Sequence, residues 1–572
     1  MESGPREAVT PDHDNAILRP FATAYSQSYQ NQNAWPKQMR ANAKIGKSLT
    51  DAGITSQAAL HAWLDQMEDD IHLDLNDFEA DSDALKLLPA RISRLNKVIP
   101  LDVVGDKLFI AISYPYEQRL IDEISMASGF QVIALPAYEH QIGIALKKIM
   151  ARDLRPQIDK ILQEFMQGDS AASQGEPRMA GSSIKEDAPV IRLINSILSQ
   201  AVLEECSDIH IDIAAQQVRV RFRIDGKLND FLVFPRQFHP VMASRIKVMA
   251  GLDIAEKRIP QDGRFRLSVL DREVDFRVAT LPTTGGEKVV IRILDKTNVL
   301  MGLEHLGLSQ TNLDLLKRSL QRPHGLLLVT GSTGSGKTTT LYNILGTMDW
   351  KANNIVTLED PVEYSMPGIN QVQVNTKAGL TFAEGLGSIL RQDPDIIMLG
   401  EIRDYRTARL AVQASLTGHL VLSTLHTNTA ASTVVRLLDL GIEKFLLSNC
   451  LAGVISQRLV RRLCIHCRNR FQLDSKTAQE LGLESESGGY YFKPVGCKLC
   501  GYSGYQGRIA IQEVMHVGPL TSAAIYRGAS DDDIGRSARK EGMVSIKKDG
   551  VNKAKEGWTS LEEVLKIALT EN

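Results

Sequence analysis

The feature that most constrains the fold of this chain is the run GSTGSGKT at 331–338. The apolar residues LLLV at 326–329 precede it, and the segment 339–345 can begin a helix. A buried strand, a glycine-rich loop and a helix in this order form a P-loop, whose backbone N–H groups and helix N-terminus surround nucleotide phosphates. The pattern therefore predicts an α/β fold with a nucleotide site at the end of a strand.

Two side chains of this loop have specific roles in the prediction. Lys337 reaches the β- and γ-phosphates of ATP, and the Thr338 hydroxyl binds Mg²⁺. The residues expected to contact the nucleotide are Gly331, Ser332, Thr333, Gly334, Ser335, Gly336, Lys337, Thr338 and Thr339. A chance glycine-rich turn is the alternative, and the strand and helix on either side of the loop argue against it.

Two further apolar segments end in acidic residues. IVTLE at 355–359 ends in Glu359, and DIIMLGE at 395–401 ends in Glu401. Parallel strands deliver such residues to the carboxyl edge of a sheet, beside the P-loop. Phosphoryl transfer needs a Mg²⁺ ligand and a group that orients or deprotonates water, and the two acids can divide these roles in either order.

A third apolar segment, LVLSTL at 420–425, lies between His419 and His426. A single histidine is usually structural. At the carboxyl edge of the same sheet, however, a histidine can sense the γ-phosphate or a neighbouring subunit.

Composition argues against several classes of protein. The formal net charge of −2 provides no overall basic field for bulk nucleic-acid binding. No apolar run approaches the roughly 18 residues that span a bilayer, and the first residues, MESGPREAVT, lack the layout of a signal peptide. Six cysteines in 572 residues are too few for a disulfide scaffold. We therefore expect a cytoplasmic chain that is peripheral to the membrane only through partners.

Composition and periodicity predict several domains in the 572 residues. The expected order is a disordered tail at 1–40, a small α/β domain at 41–150, a linker at 151–187, a second N-terminal domain at 188–298 and an ATPase domain at 299–572. A cysteine element occupies 460–513 of the last domain, and a helical tail follows it. The linker is assigned because 168–187 is rich in Gly, Ser and Ala.

Together, the P-loop and the segments LEDPVEY, LRQDPDIIMLGEIRD and TGHLVLSTLHTN resemble the type II secretion and type IV pilus assembly ATPases. The resemblance extends from about residue 187 to the C-terminus. It implies a RecA-like ATPase domain preceded by a PAS-like α/β domain, a homo-hexamer, and ATP and Mg²⁺ as cofactors. It also implies catalytic roles for Glu359, Glu401, Lys337 and His426, and partners among the docking and platform proteins of the inner membrane.

The resemblance further implies that arginines of the second N-terminal domain reach the phosphates. The matching positions are Arg221, Arg223, Arg258 and Arg264, and the alternative is an ordinary surface or strand-pairing role at each. One departure from the family pattern is Gly387, which stands where an arginine is usual. The missing guanidinium would affect the rate of ATP turnover more than the existence of the activity.

The cysteine element contains two C-x-x-C pairs, formed by Cys464 with Cys467 and by Cys497 with Cys500. Four thiolates from two such pairs typically form a closed, structural Zn²⁺ site. Redox use and an unmetallated cluster are the alternatives. The resemblance supports zinc, because the assembly ATPases carry a tetracysteine element here, whereas the retraction ATPases of type IV pili lack it. Extension or secretion is thus favoured over retraction.

The N-terminal domain resembles the family's docking module. The segment 45–66 also resembles one copy of a motif of cyclic-di-GMP-binding domains, which use two copies, so partner docking is favoured and cyclic-di-GMP is the weaker alternative. Two rival functions are a nucleic-acid motor and a non-catalytic nucleotide sensor. The near-neutral charge and the docking module argue against the first, so nucleic acid is not expected as a partner.

Overall fold

A computed structural model describes residues 45–64, 72–75, 78, 81–88, 92–93, 96–113, 118–139, 141–146, 149, 158, 160–161, 163, 189–214, 216–269, 272–295, 302–480, 483, 486 and 488–568. The predicted tail at 1–40 and the linker residues 168–187 lie outside them. The chain forms two compact units. One is Met1–Phe222 with Asp230–Arg272 and Val278–Ile291, and the other is Arg292–Asn572 with Arg223–Asn229 and Glu273–Arg277.

The first unit begins with a small α/β module. Its strands are β1 (Val98–Val104), β2 (Lys107–Ser113) and β3 (Gln131–Ala137), and its helices are α1 (Ile45–Asp51), α2 (Gln57–Leu64), α3 (Ser82–Leu87) and α4 (Gln118–Ser128). The strand order is β1-β2-β3, with β1 antiparallel and β3 parallel to β2. The spacing of Ala59, Leu60, Trp63 and Leu64 predicts a helix where α2 lies, and the apolar run at 107–113 predicts the strand β2.

Two side-chain contacts explain the start of this module. A Cβ at Gly46 would lie 2.8 Å from Cε2 of Phe109, so α1 packs on β2 at a distance that only glycine allows. The Gln57 side chain bonds the backbone of Ala134 in β3, accepting from its N–H at 2.7 Å and donating to its carbonyl at 3.2 Å. These contacts give part of the segment 45–66 a packing role.

A six-stranded sheet follows, in the order β6-β5-β4-β9-β8-β7. Its strands are β4 (Asp208–Ile213), β5 (Gln217–Ile224), β6 (Lys227–Pro235), β7 (Gln261–Val269), β8 (Arg272–Thr283) and β9 (Gly286–Asp295), and its helices are α5 (Pro189–Leu203) and α6 (His239–Met249). The sequence predicts strand-rich stretches at 217–224 and 273–294, with helical segments before and between them. These stretches correspond to β5 and to β8 with β9, and the prediction misses β4, β6 and β7. In β5 the buried residues Val218, Val220 and Phe222 alternate with arginines.

The second unit contains a seven-stranded sheet in the order β12-β11-β13-β14-β10-β15-β18. Its strands are β10 (Gly325–Thr330), β11 (Ile355–Glu359), β12 (Asn370–Gln373), β13 (Ile396–Leu399), β14 (Leu420–Leu425), β15 (Leu451–Leu463) and β18 (Tyr505–His516). All neighbouring strands are parallel except β15 and β18. This confirms the predicted RecA-like α/β architecture.

Helices cover this sheet, and a small hairpin extends from it. The helices are α7 (Gln310–Leu320), α8 (Lys337–Gly346), α9 (Phe382–Ile389), α10 (Tyr405–Leu416), α11 (Ala430–Asp439) and α12 (Lys444–Cys450). The hairpin consists of β16 (Asn469–Gln472) and β17 (Tyr490–Lys493), with α13 (Ser475–Glu480) between them. Every residue of β10 and β14 is buried, which is typical of strands covered on both faces.

The chain ends in the predicted helical tail, which packs on β18. Its helices are α14 (Pro519–Arg527), α15 (Asp531–Lys540), α16 (Ile546–Lys555) and α17 (Leu561–Ala568). A buried ion pair fixes α16, because Lys553 donates to Asp549 at 2.6 Å while Asp549 accepts from the backbone N–H of Gln512 at 2.9 Å. Among the described residues, no helix combines the length and apolar character needed to cross a bilayer.

Candidate functional site

The P-loop joins β10 to α8, as predicted. Gly331, Gly334 and Gly336 have φ values of 149°, 78° and 86°, in the region that favours glycine. The Lys337 ammonium donates to the carbonyls of Gly331 at 2.9 Å and Ser332 at 3.1 Å. The Ser335 hydroxyl is buried without a hydrogen-bond partner among the described residues. The loop thus presents a cation and polar groups around a turn that suits phosphates. Thr338 is exposed at the start of α8, where it would hold Mg²⁺.

Glu401 lies beside this loop, at the end of β13. Its carboxylate pairs with Arg403 and lies 3.5 Å from Nε2 of His426. Burial lowers the pKa of Lys337, while the Glu401 carboxylate opposes that shift. Glu401 and His426 are therefore together near the lysine that is expected to contact the phosphates.

Glu359 has a different environment. It ends β11, which is separated from β10 by β13 and β14, or about 14 Å at the usual strand spacing. Its side chain is 3% exposed and accepts hydrogen bonds from Tyr342, from Thr357 at 2.6 Å and from Gln371 at 3.2 Å. Burial, followed by the Glu359 hydrogen bond, raises the pKa of Tyr342, so the phenol remains a donor. The sequence did not reveal this buried set of contacts.

The two histidines next to β14 lie at opposite ends of the strand. His419 donates from Nδ1 to the Ala414 carbonyl at 2.8 Å, at the end that is remote from the P-loop. His426 begins the loop after β14, and Thr427 of that loop donates its N–H to the Thr330 hydroxyl at 2.9 Å. Only His426 therefore belongs to the site, and the β14 loop is tied directly to the end of β10.

Two polar residues on the other side of β10 contact this region and were not predicted as site residues. Gln457 and Arg458 lie in β15, and Gln457 donates to the Ser335 carbonyl at 2.7 Å. Arg458 donates to the Asn428 side chain at 2.9 Å, which connects β15 to the loop that carries His426. The family resemblance covers this part of the chain, since it extends from about residue 187 to the C-terminus, but it gave neither residue a role.

The four candidate arginines lie at separate places in the first sheet and its loops. Arg221 pairs with Asp212, which also binds Lys288, and Arg223 donates to the Gly226 carbonyl. Arg258 pairs with Glu256 in its own loop, although its side chain is 88% exposed. Arg264 is exposed on β7, which is the edge strand at the end of the sheet away from β5. Arg221 and Arg223 thus lie on one strand, whereas Arg264 lies on β7 and Arg258 in the loop before that strand.

Gly387 lies in α9 with open space beside it. A Cβ added there meets no atom within 4 Å, so nothing in the packing demands glycine. The Arg391 guanidinium donates to its carbonyl at 2.7 Å, which places a cation one turn further along the chain.

The four cysteines of the C-x-x-C pairs converge, with their sulfur atoms all within 4.8 Å of one another. The separations are 3.9 Å for Cys464 and Cys497, 3.8 Å for Cys467 and Cys500, and 3.8 Å for Cys497 and Cys500. Thiolates about 2.3 Å from a tetrahedral Zn²⁺ stand about 3.8 Å apart. The cluster is therefore compatible with the predicted zinc site.

Backbone donors favour the thiolate form of Cys500, whereas burial raises the pKa values of Cys464 and Cys467. Burial alone would raise the pKa of Cys500, but the N–H groups of Cys497 and Gly504 help to lower it to about 7. The N–H of Gly496 donates to Cys467 at 3.3 Å. In contrast, burial raises the pKa of Cys450 to about 11, as expected for a thiol that only packs.

The chain is similar to known proteins over most of its length. The family described as Type II/IV secretion system protein matches residues 183–566. The type IV pilus assembly ATPase PilB of Myxococcus xanthus is 39% identical over 542 residues, covering 94% of this chain and 95% of that protein. The chain belongs to the type II/IV secretion system protein family. Type II secretion system protein E of Aeromonas hydrophila is 49% identical over 382 residues, covering 67% of this chain and 76% of that protein.

A solved structure agrees with the fold. The X-ray structure of the Legionella pneumophila ATPase DotB has a TM-score of 0.50 and 19% identity, covering 70% of this chain and 98% of its own. The family membership confirms that the chain is an ATPase, with ATP and Mg²⁺ as cofactors.

A second family, the MshEN domain, matches residues 71–156, whereas the cyclic-di-GMP-type segment at 45–66 lies outside that match.

The tetracysteine cluster generates a stability prediction. Cys497→Ser should lower the zinc content below one ion per chain and increase proteolysis near 504–508, because the backbone N–H of Cys464 donates to the carbonyl of Gly504, immediately before β18 begins. Elemental analysis and limited proteolysis measure both effects. Cys450→Ser is the control, which removes a buried thiol outside the cluster and should leave zinc bound. A Cys497→Ser variant with full zinc and parental protease resistance would refute the assignment.

Proposed function

We propose that this chain is a hexameric motor whose ATP hydrolysis drives assembly of the pilin-like fibre of a type II secretion system or type IV pilus. The observation that carries the proposal is the convergence of Glu401 and His426 on the Lys337 side of the P-loop. The relatives named for type IV pilus assembly and type II secretion support the two alternatives for the machine, and the tetracysteine cluster supports extension over retraction.

The proposed catalytic roles divide between the two acids. Glu401, being close to Lys337, would hold a Mg²⁺-bound water, and Mg²⁺ with Thr338 would neutralise the phosphates. Glu359 then takes the water-activating role. Its carboxylate is occupied by Tyr342, Thr357 and Gln371 in the isolated chain, so that role requires a rearrangement on nucleotide binding. His426, which is in contact with Glu401, is placed to respond to the γ-phosphate.

The proposed hexamer completes the site in trans. An arginine from a neighbouring subunit would neutralise transition-state charge and couple hydrolysis to movement between subunits. Among the candidates, Arg264 is the best suited, because it is exposed and none of the described acidic residues forms an ion pair with it. Arg221 is the least available, since Asp212 binds it at 2.9 Å.

A mixing experiment tests this arrangement. Lys337→Ala should abolish hydrolysis without unfolding the chain, because the lysine contacts phosphate and fills no core. Arg264→Ala should lower turnover while nucleotide affinity is retained. An equimolar mixture of the two inactive or weakened chains should regain activity, because an intact Lys337 then meets an intact Arg264 across some interfaces.

The remaining candidates provide the controls for that mixture. Arg221→Ala, Arg223→Ala and Arg258→Ala are combined with Lys337→Ala in the same way. If no arginine variant gains activity on mixing, the composite site is wrong. If Lys337→Ala retains parental hydrolysis, the assignment of the nucleotide site itself is wrong.

We propose further that the N-terminal module docks the motor to an inner-membrane partner, which makes the chain cytoplasmic and peripheral. The MshEN match at 71–156 supports a recognition role for this region and also favours cyclic-di-GMP as a second candidate ligand. A nucleic-acid motor is disfavoured, since the net charge is −2.

Deletion of residues 1–155 tests the docking role. The truncated chain should keep basal ATP hydrolysis and lose recovery with the membrane fraction in cells that contain the secretion or pilus machine. Labelled cyclic-di-GMP is titrated into the full chain in parallel, where saturable binding would add a ligand to the module. Normal membrane recovery of the truncated chain would contradict docking through this region.

A further inference from the structure

We propose that Gln457 is a positioning residue for ATP binding, because its side-chain amide holds the P-loop in its phosphate-binding form. The proposal rests on the P-loop being the nucleotide site. Gln457 lies in β15, 122 residues from Ser335, and reaches the loop only because β15 is the direct neighbour of β10. It does not contact the nucleotide in this scheme and acts through the loop backbone.

Both ends of the amide are used. Its Nε2 donates to the Ser335 carbonyl in the P-loop at 2.7 Å, and its Oε1 accepts from the Thr340 hydroxyl in α8 at 2.8 Å. Gln457 is 1% exposed and Thr340 2% exposed, so water cannot replace either bond. A primary amide is the neutral group that donates and accepts at once, which suits the gap between a carbonyl and a hydroxyl.

The amide also fixes the orientation of the peptide groups in the loop. A P-loop binds phosphates with backbone N–H groups, so its carbonyls must point away from the anion. The bond from Gln457 turns the Ser335 carbonyl towards β15, and therefore away from that side. The same peptide unit carries the N–H of Gly336, the N-cap residue of α8, and in a trans peptide this N–H points opposite to the carbonyl. Losing this bond should loosen the loop before phosphate arrives.

Arg458 fixes the backbone of Gln457, the residue that carries this amide. Its Nη1 donates to the Gln457 carbonyl at 3.0 Å, and its Nη2 donates to Asn428 at 2.9 Å. A Cβ at Gly331 would lie 3.0 Å from that Nη1 and even closer to the Gln457 carbonyl. Only glycine therefore allows the P-loop to approach β15 closely enough for the amide to reach it.

The chain offers a matched control on the neighbouring strand. Gln512 of β18 pairs directly with Gln457 and is fully buried. Its side-chain amide has no hydrogen-bond partner anywhere in the described part of the chain. Replacing the two glutamines by methionine therefore removes two amides of the same size and burial, of which only one holds the loop.

The experiment measures Mg²⁺–ATP affinity, KM and kcat for the full chain and for Gln457→Met, Gln457→Glu, Thr340→Val and Gln512→Met. For Gln457→Met and Gln457→Glu we expect KM and the dissociation constant to rise about tenfold, with kcat changed by less than about threefold, because the loop grips phosphates in ground and transition states alike. Gln457→Glu keeps the acceptor for Thr340 and loses the donor. Thr340→Val should give a smaller loss in the same direction, and Gln512→Met should keep the parental affinity.

Melting temperatures without nucleotide separate loop positioning from general stability. Equal affinity losses in Gln457→Met and Gln512→Met would overturn the proposal, as would parental affinity in Gln457→Met. If Gln457→Met fails to fold, parental affinity in both Gln457→Glu and Thr340→Val would overturn it equally. Failure of the parent and of Gln512→Met to bind Mg²⁺–ATP would instead overturn the nucleotide site itself.

Discussion

The position of β10 between β14 and β15 is the constraint on which the rest of the ATPase unit depends. Because these strands run parallel, their carboxyl ends meet at one edge, and the P-loop has a polar neighbour on each side. His426 and Glu401 occupy one side, and Gln457 with Arg458 occupies the other. The contact between Arg458 and Asn428 then joins the two sides around the end of β10.

The sequence predicted the parts of this site that short, contiguous segments determine. The P-loop, the strands that end in Glu359 and Glu401, and the cysteine pairs all depend on neighbouring residues, so local patterns suffice for them. Strand order is different, because it arises from packing among distant segments. Glu359 and Glu401 looked equivalent in sequence, yet two strands separate Glu359 from β10 and a buried set of donors surrounds it.

Residues that act across a long sequence separation were harder to predict. Gln457 contacts Ser335 over 122 positions, and a buried glutamine in an apolar strand gives no local sign of that contact. The same applies to Arg221, whose position in β5 gives no local sign of its pairing with Asp212. The tail at 1–40 and the linker residues 168–187 remain predictions, because they lie outside the described residues.

We propose that ATP turnover requires a site completed by a neighbouring subunit. The most direct measurement is the specific ATPase activity over a range of protein concentrations, with the fraction of hexamers determined in the same samples by analytical ultracentrifugation. If the site is completed in trans, specific activity rises in proportion to the hexamer fraction and falls towards zero where monomers dominate. Constant specific activity across that range, with full turnover by monomers, would contradict it.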